Sequence, residues 1–159
     1  MEVKMSAISD DPTALLHPQD QEWVSLPTLP GKARVIKADE ELGIVIFGYR
    51  FEPGAKVPEH RHDCHAIAYT ISGEWEYEAG KLGPGSLAYE PVGSVHTPYS
   101  EDGAELMVIL RSDTDQFLIN IMEDGSEQPL DMAFFKQMEG VTQQELDKLV
   151  AEQQAAETS

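Results

Sequence analysis

His60, His62, Cys64 and His65 stand within six consecutive positions of a chain that has five histidines and one cysteine. Imidazole and thiolate are common protein donors to zinc and other transition metals, so the stretch "HRHDCH" reads first as a metal site. In an extended segment, side chains two apart project to one face, and His60 and His62 can then reach one ion together. His65 lies an odd number of positions from His62 and on the same argument points away. Cys64 has the right parity but falls beyond the place where a strand carrying the two histidines should end, so a small, partly buried residue is the favoured reading. The four residues lack the paired Cys/His spacings of a local zinc finger. A third ligand must come from elsewhere, and His96 is the candidate: the strand-like run Gly85 to Glu90 and the turn Pro91-Val92-Gly93 set it at the start of a further strand.

Glu90 shares a strand face with Ala88 and Ser86. If that face is interior, a carboxylate there needs a partner. An imidazole N–H or a bound substrate would serve, which makes Glu90 the candidate acid/base residue or orienter of a ligand; direct ligation and a surface carboxylate are the alternatives. Glu74, Glu76 and Glu78 alternate with Trp75 and Tyr77, giving a strand with one polar and one aromatic face. One of these acids joins the metal only if the polar face turns inward. Tyr49, Phe51, Tyr69 and Tyr89 are candidates for core or pocket wall, and Arg50 for a surface ion pair.

These residues need strands to hold them, and the chain supplies the pattern. Short β-prone runs at roughly 33–38, 43–52, 66–78, 85–90, 104–111 and 116–122 are separated by Gly and Pro, as in an all-β sandwich or barrel. Residues 1–20 lack sustained periodicity and read as an N-terminal arm with at most one helical turn. After Gly125 the pattern turns helical: Phe134, Phe135 and Met138 precede Gly140 as a stop. Thr142 and Glu145 then form a capping box ahead of Leu146, Leu149 and Val150. The expected division is an arm over 1–20, a barrel over 21–125 and a helical extension over 126–159, with fraying from Ala155 onward.

The composition narrows the function classes. Eleven Lys and Arg against 29 Asp and Glu give a formal charge of −18, which repels phosphate backbones and anionic lipid, so neither nucleic acid nor a membrane is an expected partner. A lone cysteine makes no internal disulfide, no leader pattern opens the chain, and no apolar run is long enough to span a bilayer; the cytoplasm is the expected compartment.

The two histidine segments resemble the paired motifs of the cupins. Gly54, His60, His62 and Gly73 fit the first motif, with Ala66 where its Glu belongs; Gly85, Pro91, Gly93 and His96 fit the second, with Ser100 in place of Asn. The resemblance runs from about Trp23 to Met122 and implies a small antiparallel jelly-roll β-barrel with one metal held by His60, His62 and His96. Within cupins, "HRHDCHAIAYTISGEWEY" and "YEPVGSVHT" look most similar to the acetylacetone-cleaving and 2,4'-dihydroxyacetophenone dioxygenases, and also to the cupin domain of certain anti-sigma factors.

That likeness implies an Fe(II) dioxygenase acting with O2 on a small β-dicarbonyl or hydroxy-ketone. Three neutral imidazoles leave a divalent ion its full charge and open positions, which suits an anionic bidentate substrate. A zinc-binding sensor or interaction domain, and a metal-dependent isomerase, lyase or thiol oxidase, are the alternatives, since zinc also takes three histidines and water. A homodimer or larger homo-oligomer is expected, because cupin barrels commonly pair through edge strands and the tail helices carry apolar stripes that need cover.

Overall fold

The computed structural model describes residues 13–159, so the first part of the expected arm, residues 1–12, lies outside the described residues. The helical turn expected in the arm is a 3-10 turn at Pro18–Asp20. Thirteen strands follow. They are β1 (Lys32–Asp39), β2 (Ile44–Phe51), β3 (Ala55–Lys56), β4 (His60–His62), β5 (His65–Gly73), β6 (Trp75–Tyr77) and β7 (Gly80–Leu82). Then come β8 (Leu87–Glu90), β9 (Val95–His96), β10 (Tyr99–Ser100), β11 (Ala104–Arg111), β12 (Gln116–Ile121) and β13 (Glu127–Asp131). Helices α1 (Met132–Met138) and α2 (Gln143–Glu157) close the chain. The strands form a five-stranded sheet, β1-β2-β11-β5-β8, and two four-stranded sheets, β3-β10-β6-β7 and β13-β12-β4-β9. Every pairing between strands is antiparallel. The expected all-β fold with C-terminal helices is the one observed, and among the described residues no helix is long and apolar enough to cross a membrane.

Two local departures from the sequence expectation matter for the site. The run at 66–78 is two strands in different sheets, not one. Gly73 turns the chain with φ 74°, and a Cβ there would lie 2.2 Å from the Gly103 carbonyl oxygen, so only glycine fits the corner. The segment after Gly125 is strand before it is helix: β13 pairs with β12 through the tight turn at 122–126. Pro129 hides this strand from a propensity reading, yet proline is compatible with a sheet edge, and β13 is one. Helix formation starts at Met132, where Asp131 accepts a hydrogen bond from the Phe134 amide as N-cap. The capping box at Thr142 and Glu145 forms as expected, and α2 continues to Glu157, past the expected fraying point.

The core is unusual in which side chains face it. On β5, the small residues Ala66, Ala68 and Thr70 are buried while Ile67, Tyr69 and Ile71 are exposed. On β8, Ala88 and Glu90 are buried while Leu87 and Tyr89 are exposed. Tyr69 and Tyr89 are therefore neither core nor pocket wall. Tyr49 and Phe51, on β2, are buried as expected. With only Ala66, Ala68, Thr70, Ala88 and the Glu90 carboxylate pointing inward from two adjacent strands, the interior is incompletely filled. It holds a cavity of about 170 Å³, walled by side chains from all three sheets and from α1. Met132, Phe135 and Met138 of α1 and Leu146 of α2 bury the apolar stripes of the two helices.

Candidate metal centre

Strand β4 carries His60 and His62, and the antiparallel register places His96 of β9 directly opposite His60. The turn before β9 makes this possible: Gly93, with φ 93°, donates its N–H to the His62 carbonyl, while the Ser94 carbonyl accepts from the His62 N–H. The backbone of one histidine thus fixes the turn that delivers another. The three imidazoles converge, with centroids 5.1 Å (His60–His62), 4.7 Å (His60–His96) and 4.8 Å (His62–His96) apart. Their ligand nitrogens all lie within 4.8 Å of one another. The Nε2 atoms of His62 and His96 are 3.1 Å apart, close to the spacing of two nitrogens bound to one ion at about 2.1 Å each.

The protonation states fit a cation. Burial lowers the pKa of all three rings: His62 to about 3, depressed further by His60 and His96, and His96 to about 4, depressed further by His60 and partly opposed by Glu78. His60 is lowered by burial too, partly opposed by its hydrogen bond to Pro58 and by the Glu78 charge. All three are neutral at pH 7, the form that binds metals. His60 Nδ1 lies 3.0 Å from the Pro58 carbonyl oxygen, so it is the donor and Nε2 keeps its lone pair. His62 Nδ1 is buried with no partner among the described residues, a cost of roughly 1–3 kcal/mol that the site tolerates for what Nε2 does. Converging neutral nitrogens, two of them on fully buried rings, fit a divalent cation.

Glu90 stands beside two of the three rings. It is 6% exposed, and its Oε2 lies 3.1 Å from His62 Nε2 and 3.4 Å from His96 Nε2. Burial pushes its carboxyl up to about 7. Its register explains its presence. Glu90 stands directly across from Ala66, the position at which the first motif usually offers Glu, and the methyl side chain leaves the space that Glu90 fills. Ala66 therefore does not leave the site without a nearby carboxylate: one comes from the adjacent strand.

The other sequence candidates fall elsewhere. His65 is exposed and pairs across the sheet with Arg111. Cys64 is fully buried just past β4, outside the histidine group, and burial pushes its thiol up to about 12. Glu74 and Glu76 face Lys81 on the surface. Glu78 is exposed, accepts a hydrogen bond from the Thr97 amide at 3.3 Å and raises the pKa of His60 and His96. Arg50 pairs with Glu105 at 2.7 Å and stacks on Trp23.

Sequence reasoning missed Tyr77 as a site residue; its ring stacks on His96 at 4.6 Å. It also missed Asn120 and Gln128, which line the cavity. His96, His60, Asn120 and Gln128 form one cross-strand row over β9, β4, β12 and β13. Only the pairing reveals that row, because β13 carries no strand signal of its own.

A family model described as the ChrR cupin-like domain matches residues 11–113. No curated protein matches the sequence. Among solved structures, a protein of unknown function with a cupin-like fold from Ralstonia eutropha JMP134 is 22% identical, with 92% of this chain and 91% of that one covered at a TM-score of 0.67. An acetylacetone dioxygenase from Acinetobacter johnsonii is 13% identical, with 86% and 95% covered and a TM-score of 0.66. The complex of SigE with the anti-sigma ChrR from Rhodobacter sphaeroides matches at 18% identity over 59% of this chain and 50% of that one, with a TM-score of 0.52. At these identities the likeness is one of fold. Motifs, sheets and family model agree: the chain belongs to the ChrR cupin-like domain family within the cupins.

Proposed function

We propose that the chain is an Fe(II)-dependent dioxygenase that cleaves a C–C bond of a small β-dicarbonyl or hydroxy-ketone with O2. The observation that carries this reading is the placement of three neutral histidines and a buried carboxylate at the wall of an otherwise largely apolar cavity. When bound, the metal supplies Lewis acidity toward an enolate and redox access to O2. The histidines fix its position without adding negative charge and Glu90 supplies at most one, so the ion keeps net positive charge for an anionic substrate. Glu90, beside two ligand nitrogens, receives the proton that a β-diketone sheds on becoming an enolate. The apolar walls keep bulk water from the reacting carbon. Both oxygen atoms enter the products: a β-diketone and O2 give a carboxylic acid and an α-ketoaldehyde. The electrons that reduce O2 come from the substrate, and no external reductant is required.

The ligand set is tested by metal content. His96→Ala is expected to strip the metal during purification, while His65→Ala retains wild-type stoichiometry; metal loss from His65→Ala would overturn the assignment. A second reading, a non-catalytic zinc-binding sensor or interaction domain, goes with the likeness to the anti-sigma ChrR. Zinc at one ion per chain, with no O2 consumed in the presence of diketones, would select that reading.

A further inference from the structure

Most polar side chains that line the cavity already have a role or a partner. Tyr49 donates to the Pro30 carbonyl, and Trp75 Nε1 donates to Thr70 Oγ1 at 2.8 Å. The three histidines and Glu90 form the metal end, and Thr28 is exposed. Asn120 and Gln128 remain. Both are half-buried, and both belong to the cross-strand row that starts at His96 and His60. Asn120 Nδ2 donates to Gln128 Oε1 at 3.3 Å, and no other group among the described residues bonds either amide. The pair therefore keeps one amide oxygen and one amide NH2 unused. Exchanging O and N in both amides leaves the same complement of one acceptor and one donor.

Resting on the metal reading above, we infer that Asn120 and Gln128 form a second polar anchor in the cavity. It selects ligands that carry a hydroxyl group beyond their metal-chelating end. A hydroxyl both donates and accepts, and so satisfies both free amide positions. A carboxylate would meet one donor and face one oxygen, in a chain of net charge −18. Strands in a sheet lie about 4.8 Å apart. Asn120 is thus one strand spacing from His60 and Gln128 two, and the hydroxyl belongs roughly 5–10 Å along the sheet from His60. The surrounding walls, which include Leu118, Leu130, Phe134 and Phe135, suit an apolar spacer between the two ends.

The test uses the full chain loaded with Co(II) and two chelating probes that differ by one hydroxyl: benzohydroxamate and 4-hydroxybenzohydroxamate. Binding is followed through the Co(II) visible spectrum. A net hydrogen-bond contribution near 1 kcal/mol corresponds to about fivefold. The wild-type chain is expected to bind the hydroxylated probe about five- to tenfold tighter. In Asn120→Leu/Gln128→Met the two affinities should agree within about twofold. Gln128→Met alone, a volume-conserving change on an edge strand, should already reduce the preference if the double variant fails to fold. Equal affinities in the wild-type chain, or an undiminished preference in either variant, would overturn the subsite while leaving the metal reading intact. Failure to take up Co(II) would remove both.

Discussion

Glu90 decides the charge of the centre, and its protonation makes a prediction with a definite sign. Burial raises its pKa from 4.5 to about 7. In metal-free protein the folded state keeps this proton between those values while the unfolded chain has lost it. The protonated carboxyl therefore contributes stability that is present below pH 4.5 and lost as pH rises through 7. Glu90→Gln removes the cost of the buried carboxylate. Metal-free Glu90→Gln should exceed the metal-free wild-type chain in stability at pH 8 by about 1–3 kcal/mol, with the gap closing near pH 5. His62 and His96 work in the opposite direction. Their depressed values make the neutral rings stabilising above pH 6.5, an advantage lost as pH falls toward 4 and then 3. That contribution is common to both proteins and largely cancels in the comparison. With metal bound the order should invert, because the carboxylate then faces a cation, and the variant should lose about 10–100-fold in metal affinity. Denaturant titrations at pH 5 and pH 8, with and without metal, check both halves. A variant no more stable than wild type at pH 8 without metal would contradict the assigned burial cost.

Between strands, the pairing of Ala66 with Glu90 makes the carboxylate transferable. Ala66→Glu alone should lose about 1–3 kcal/mol from overpacking, and more at high pH from two facing carboxylates. Ala66→Glu combined with Glu90→Ala restores the usual motif and should recover metal retention that Glu90→Ala loses; a double variant without metal would show that position 90 is not interchangeable with 66. This relation also marks how far the sequence could be read. His60, His62 and His96 were legible because strand parity and the Pro-x-Gly turn act locally. The buried side of β8 was legible in part, since Glu90 has the parity of Ala88. The inward faces of β5 and β8 were harder. Inward residues are usually the larger apolar ones, but here small residues point in and Ile67, Tyr69, Leu87 and Tyr89 point out, because the interior keeps a cavity. β13 was illegible: Gln128, Pro129 and Leu130 carry little strand propensity, and pairing with β12 overrides it. With β13 went Gln128, and with the row went the significance of Asn120.

For the molecule as a whole, those outward side chains have a consequence. Two fully apolar cross-strand rows, Ile46–Ile109–Ile67–Tyr89 and Gly48–Met107–Tyr69–Leu87, cover the outer face of the five-stranded sheet toward its β8 edge. Tyr89 is 77% exposed and Leu87 60%. On β2, β11, β5 and β8 this face carries Arg50, Arg111 and His65 and a single acid, Glu105; Arg50 pairs with Glu105, and Arg111 with Asp113 just past β11. In a chain of net charge −18, these strands present no unpaired acid on this face to oppose a second copy. We propose that two copies meet on this face in an isologous dimer. Light scattering should give a mass of two chains for wild type and of one chain for Leu87→Asp/Tyr89→Asp; a monomeric wild-type chain would contradict it. The central claim concerns the reaction, and oxygen measures it most directly. Protein purified anaerobically, reconstituted with Fe(II) and given acetylacetone under labelled O2 should consume one O2 per diketone cleaved and place one labelled atom in each fragment. Stoichiometric zinc in the purified protein, together with no O2 uptake by the Fe(II) form across β-diketones and hydroxy-ketones, would contradict the account.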